Sequence, residues 1–338
     1  VTREERAAAG IHLGDHVWRV DGAVLTQHQL VEPGQGQPPR PTRVETFDVD
    51  KSNRYPRSCI GDRRKHCAER KRAASGQHLS SDNHVWSHCN LAYLLQQIGK
   101  PDEAVACYQR ALESEPGFAE GYCDLGNVWK AKGQFDDAIA CYQRAIALKP
   151  DLVGAHHNLG IVLSEQGKLD EAIACYQRVI ELQPRGARTH GILGRLLHRQ
   201  GRSAAAIPYF QRALQLEPSS ADVHFYLGEA LQAQRKWEEA MFSYQRAIQL
   251  TPRLAEAHNS LGTLFWEEGK LEHAMACFQR ALTLQPNLAR AHSNLGSVLF
   301  RWGKLAEATA CYQRAIELAP DRADMFSDRL LVRQYSPG

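Results

Sequence analysis

Prolines recur 34 residues apart at Pro116, Pro150, Pro184, Pro218, Pro252, Pro286 and Pro320. A fixed period of this length points to stacked copies of one supersecondary unit rather than a single globular core. Three further ladders share the period. Gln-Arg pairs run from Gln109-Arg110 to Gln313-Arg314. Leucines run from Leu91 to Leu295, followed by Gly in every unit except the first, where Ala92 stands. Alanines run from Ala104 to Ala308, and each is followed four residues later by an aromatic: Tyr108, Tyr142, Tyr176, Phe210, Tyr244, Phe278 or Tyr312.

The spacing inside one unit specifies two helices. Across 153–186, His156, Leu159, Gly160 and Leu163 fall at i, i+3, i+4 and i+7, one face of a first helix. Gly167 supplies the backbone freedom of a helix end. Leu169, Ala172, Ile173, Tyr176, Val179 and Ile180 form the stripe of a second helix. The small Gly160 and Ala172 let the two helices approach, and the aromatic fills the space beside them. Pro184 cannot continue a helix and ends the pair. One such hairpin cannot bury its apolar face alone, so neighbours must stack on it.

These residues resemble the tetratricopeptide repeat family over 85–322, seven units without a gap. The resemblance implies an all-α, right-handed superhelical solenoid whose first helices line a concave groove that holds segments of other proteins. The wording KLDEAIACYQRVIELQP at 168–184 is also similar to bacterial O-linked N-acetylglucosamine transferase-type proteins. So is the tail with Ser327, Leu330-Leu331 and Tyr335-Ser336-Pro337-Gly338. That likeness implies an alternative role as the substrate-recruiting arm of a truncated or split glycosyltransferase.

The flanks lie outside the period. Residues 1–84 are expected to be loosely ordered, with a Pro/Gly-rich linker at 33–43 and one hairpin of His16–Val20 and Ala23–Thr26 about Asp21-Gly22. Residues 51–80 carry nine Lys or Arg against Asp62 and Glu69, although the whole chain is near balance at +3. Without interleaved aromatics or a reading helix, this run is read as a solvated arm and not as a nucleic-acid site. Residues 323–338 are expected to form a capping helix and tail, with Met325, Phe326, Leu330 and Leu331 covering the last unit.

No run approaches the roughly 20 apolar residues of a membrane span. Of the nine cysteines, Cys107, Cys141, Cys175, Cys277 and Cys311 share one repeat position, which suits a small packing residue in a reducing, cytoplasmic setting. Cys59, His66, Cys67 and His78 lack the close ligand pairs of a zinc site, and no metal or cofactor is expected. No catalytic set is brought together by the repeat.

Function is therefore sought in the groove. In the family frame, the second, fifth, ninth, twelfth and thirteenth positions of each unit face it. In the fourth unit these positions hold Arg188, Gly191, Arg195, His198 and Arg199, with no acidic residue between 185 and 202. Arginines seven and four residues apart share one helix face, and guanidinium forks suit carboxylate or phosphate groups. An acidic or phosphorylated partner segment is thus expected there, unless Asp222 and Glu229 neutralise Arg188 and Arg195 as a ladder. Phe225, Trp266 and Phe300 offer apolar anchorage. The transferase likeness implies asparagines gripping peptide backbone, which Asn158 and Asn294 fit and Ile192 and Tyr226 interrupt. Histidines recur at His88, His156, His190, His224, His258 and His292, read as packing within their own hairpin. Pro208, inside a second helix, is expected to kink or shorten it. Solenoid ends also offer a route to self-association.

Overall fold

Each 34-residue unit yields a helical hairpin. The structure, a computed structural model, describes residues 18–20, 23–25 and 79–320. Fourteen helices follow in chain order: α1 (Leu79–Gln97), α2 (Pro101–Ser114), α3 (Ala119–Ala131), α4 (Phe135–Leu148), α5 (Val153–Glu165), α6 (Leu169–Leu182) and α7 (Ala187–Arg199) come first. They continue as α8 (Ser203–Leu216), α9 (Ala221–Ala233), α10 (Trp237–Leu250), α11 (Ala255–Glu267), α12 (Leu271–Leu284), α13 (Ala289–Arg301) and α14 (Leu305–Leu318). Odd-numbered helices are the first of each unit and even-numbered helices the second. The hairpin foreseen about Asp21-Gly22 is present by itself as β1 (Trp18–Val20) and β2 (Ala23–Leu25), antiparallel with Arg19 opposite Val24. The capping helix, the basic arm and the Cys59–His78 group lie outside the described residues. Helix α1 starts six residues before the expected boundary at 85.

The first helices all end the same way. Gly167 takes φ of +77°, its N–H bonds to the Ser164 carbonyl (3.3 Å), and the Lys168 N–H reaches back to the Leu163 carbonyl (2.9 Å). This is a Schellman end, and a left-handed residue is what it demands. Six units supply glycine. The fifth supplies Arg235, which adopts φ of 58° because its Lys236 N–H makes the same bond to the Leu231 carbonyl (3.0 Å).

The two helices of a unit touch most closely where glycine meets the aromatic. A Cβ at Gly160 would lie 2.9 Å from the Tyr176 ring, and at Gly194 it would lie 2.8 Å from Phe210. Tyr142, Tyr176, Phe210, Tyr244 and Phe278 are fully buried in this way. Each contributes on the order of 1.5–3 kcal/mol by leaving water. Every second helix then packs on the first helix of the next unit.

Polar bonds fix the register between units. Lys132 donates to Asp102 (2.6 Å), Gln166 to Asp136 (3.1 Å) and Gln200 to Asp170 (2.8 Å), each pair 30 residues apart. The same residue pair does not recur beyond the fourth unit, where Gln234 faces the frame position of Ala204.

Two expectations are corrected. Helix α8 runs unbroken through Pro208 for 14 residues, the length of every other second helix described. Pro208 and Ala204, whose carbonyl loses its donor, are both exposed, so water can serve that carbonyl while buried Ala206 and Phe210 hold the helix in place. The ladder histidines do not pack only within their own hairpins. His156, His224, His258 and His292 each bond through Nε2 to the carbonyl of Pro150, Pro218, Pro252 or Pro286 at 2.9–3.2 Å. They brace the turn by which the chain enters each unit. His190 does so through Nδ1 to the Gly186 carbonyl (2.9 Å).

Candidate partner-binding groove

Successive first helices approach one another, α3 to α5, α7 to α9 and α11 to α13, while no successive second helices do so to a similar extent. The array therefore curves with its first helices inside. Side chains on their inward face line the groove.

Helix α7 presents Arg188, Arg195 and Arg199 exposed and His198 half-buried. The ladder that could have silenced the arginines is not formed: neither Arg188 nor Arg195 makes an ion pair with Asp222 or Glu229. Arg195 lies over the Tyr226 ring, 5.6 Å from its centroid, a cation–π contact that leaves the guanidinium edge open. The arginine field reaches the preceding unit. His157 stands edge-on to Tyr176, at 5.5 Å and 84°. Burial first, then the positive charges of Arg188 and Lys130, push its pKa down to about 4. His198 accepts or donates at Ser203 Oγ (2.9 Å), and burial lowers its pKa.

Beyond α7 the groove holds a cavity of about 520 Å³, lined by His198, Glu229, Gln232, Ala233, Trp237, Tyr244, Asn259, Ser260, Thr263, Arg290, Ser293 and Asn294. Its size falls in the range of ligand-accepting clefts. The Glu229 carboxyl is half-buried; burial pushes its pKa up, Arg290 draws it down and Glu256 raises it again. The sequence reading chose His198 and Asn294 of this lining as site residues and named Glu229 only as a neutraliser of Arg195. The other lining residues occupy frame positions scattered over three units and gain meaning only when curvature brings them together.

The two candidate asparagines join neighbouring units. Asn158 Nδ2 donates to Asn127 Oδ1 (2.8 Å), which also accepts from the Tyr142 hydroxyl (2.8 Å). Asn294 Nδ2 donates to Asn259 Oδ1 (3.0 Å). Their amide donors are thus engaged within the array. Phe225 packs against Tyr226 (5.3 Å) and Tyr244 (5.9 Å), and half-buried Trp266 lies under the Arg301 guanidinium (5.4 Å). Phe300 is also half-buried, against the C-terminal part of the core. All three aromatics are largely used by the fold.

The cysteine ladder is a packing feature. Burial, aided by Asp137 and Glu171, pushes the Cys141 and Cys175 thiols up to about 11, away from nucleophilic use. Among the described residues no group of His, Cys, Asp and Glu could hold a metal, and no helix is long and apolar enough to cross a membrane.

A curved stack of seven helical hairpins with a polar inner face defines the class: a solenoid of interaction repeats. The chain belongs to the tetratricopeptide repeat family, whose models match residues 85–118, 126–167, 157–221, 200–255, 227–289 and 261–327. Members of this family generally act as scaffolds for protein interaction. A tetratricopeptide repeat protein from Parabacteroides merdae is similar in structure (TM-score 0.58, 16% identity, 74% of this chain and 99% of that one). So is a chain of the APC/C hetero-tetramer Cut9–Hcn1 (TM-score 0.56, 16% identity, 71% of this chain and 48% of that one). YrrB, described as a TPR protein with an unusual peptide-binding site, aligns with a TM-score of 0.50 at 22% identity over 54% of this chain and 95% of its own. At such identities the likeness is one of fold. No curated protein matches the chain.

Proposed function

We propose that this chain is a non-catalytic scaffold whose concave groove captures an acidic or phosphorylated segment of another protein at α7. The observation that carries this reading is the set of three exposed guanidinium groups, Arg188, Arg195 and Arg199, on a face where Arg195 lies over the Tyr226 ring and Glu229 is drawn to Arg290 instead. A partner carboxylate or phosphate gains charge-assisted hydrogen bonds from such groups. The cavity beyond α7 extends the site with neutral polar side chains, among them Gln232, whose Oε1 accepts from Tyr244 (2.7 Å) and whose amide nitrogen is left for an extended main chain. That the similar fold of YrrB is described by a peptide-binding site agrees with this use.

The test is binding of fluorescent acidic, phosphoserine, neutral and basic peptides to the full chain and to an Arg195→Glu/Arg199→Glu variant. Acidic and phosphorylated peptides should bind the native chain best and lose at least tenfold on charge reversal, about 1.4 kcal/mol. Their affinity should also fall with salt. Unchanged capture by the variant refutes the site. The second reading, a recruiting arm of a glycosyltransferase, rests on the wording of 168–184 and the tail. A transferase-like frame in the DNA beyond codon 338 would support it.

A further inference from the structure

Large apolar side chains exposed among the described residues concentrate on α1 and the residue just after it: Leu91 (47% exposed), Tyr93, Leu94 (59%) and Ile98 (68%). The other six units show what this face is for. Residues at the frame position of Leu91, from Leu125 to Leu295, are at most 9% exposed, and those at the position of Leu94, from Val128 to Val298, at most 1%. In those units the second helix of the preceding unit lies on the face. Among the described residues no helix precedes α1.

The third position shows that this face is apolar by composition as well as uncovered. Where units two to four place Lys132, Gln166 and Gln200 to bond Asp102, Asp136 and Asp170 of the unit before, the first unit has Ile98, just past the end of α1. A helix end meant for water would keep a polar residue there. Residues 85–98 include no Lys, Arg, Asp or Glu, so a second copy of the face meets no like charge. The segment just upstream does not offer a cover of matching chemistry. Residues 61–78 hold six Lys or Arg and no Val, Ile, Leu, Met, Phe, Tyr or Trp.

We propose that two copies of this chain pair through α1, with Leu91, Leu94 and Ile98 of each packed antiparallel on the same residues of the other. The spacing i, i+3, i+7 forms one ridge centred on Leu94, which can lie in the groove of an identical helix about a two-fold axis. The three side chains offer roughly 300 Å² per copy, below the share of a standard interface, so the dimer is weak and concentration-dependent.

Sedimentation of the full chain from about 1 to 200 µM reads this directly. The mean mass should rise from 37.9 kDa toward twice that value. A Leu94→Glu/Ile98→Glu variant should stay at the single mass with its helical signal and melting unchanged. Phe242→Glu, equally exposed but on α10, should dimerise as the native chain does. If the charge variant is unstable, Leu94→Cys decides instead, cross-linking between copies on oxidation where Phe242→Cys does not. A native chain of single mass throughout overturns the proposal, the face then being covered from within the chain. So does a mass that climbs past two copies, which signals end-to-end joining, or a dimer that survives Leu94→Glu/Ile98→Glu.

Discussion

Replacing His157 by Phe should flatten the acid side of the stability profile. The imidazole sits between the Tyr176 ring and the positive charges of Arg188 and Lys130, and its pKa falls from 6.5 to about 4, with burial the largest cause. The folded state therefore prefers the neutral ring, while the unfolded chain takes up a proton near pH 6.5. The stabilisation is fully present above that pH and is lost as pH falls toward 4. A drop of this size corresponds to a ceiling of about 3 kcal/mol, of which about 2.5 kcal/mol is gone by pH 4.5. Phe keeps the ring against Tyr176 and removes the proton site. Urea unfolding at pH 7 and 4.5 should show the native chain losing about 2 kcal/mol more than His157→Phe, other groups contributing equally to both. The side-chain titration of His157, followed by NMR, should run near pH 4, and an acidic peptide in the groove should raise it by offsetting Arg188. A titration near 6.5, or equal acid losses in the two proteins, refutes the placement of the ring and of the arginine field.

Further outcomes concern the frame of the repeat. Gly194→Ala should cost about 1–3 kcal/mol, because its methyl would sit 2.8 Å from Phe210, whereas Gly154→Ala, with nothing within 4 Å, should be neutral or slightly stabilising. Denaturant midpoints of the two variants separate the cases. Arg235→Gly should raise stability by about 0.5–1 kcal/mol in the same assay, since it relieves a left-handed conformation at the cost of a more flexible unfolded chain. Pro208→Ala should stabilise by about 1–3 kcal/mol, restoring the N–H that α8 lacks while leaving its length at 14 residues. Slower amide exchange within 203–212 reports the same change locally.

Much of the helical frame could be read in the chain because its determinants are local. Leu159, Gly160 and Leu163 share a face by helical pitch, and Gly167 ends the helix by its own backbone freedom. The Gly160–Tyr176 contact recurs at 16 residues in every unit but the first, so the eye finds it. The groove was less legible. The bond between Gln166 and Asp136 spans 30 residues and that between Asn158 and Asn127 spans 31, and several positions in either unit could have met. A signal for the first was present: an acceptor Asp at the second position of a second helix and a Lys or Gln exactly thirty residues later, in three successive units.

For Arg195 the sequence offered Glu229, in the same frame position one unit on, and marked Tyr226 only as a break in the asparagine ladder. Only the stacking of α7 on α9 decided for the ring. Likewise, Glu229, Thr263, Arg290 and Asn294 come from three helices and share a cavity because the array curves. The ladder of Leu, Gly, Ala, aromatic and Pro determined by itself that this chain forms stacked hairpins, since pitch, close approach and helix termination act over a few residues. Which charges stay unpaired on the inner face, and which apolar stripe on α1 is left without a neighbour, depended on curvature and on where the array starts, properties of the assembled stack.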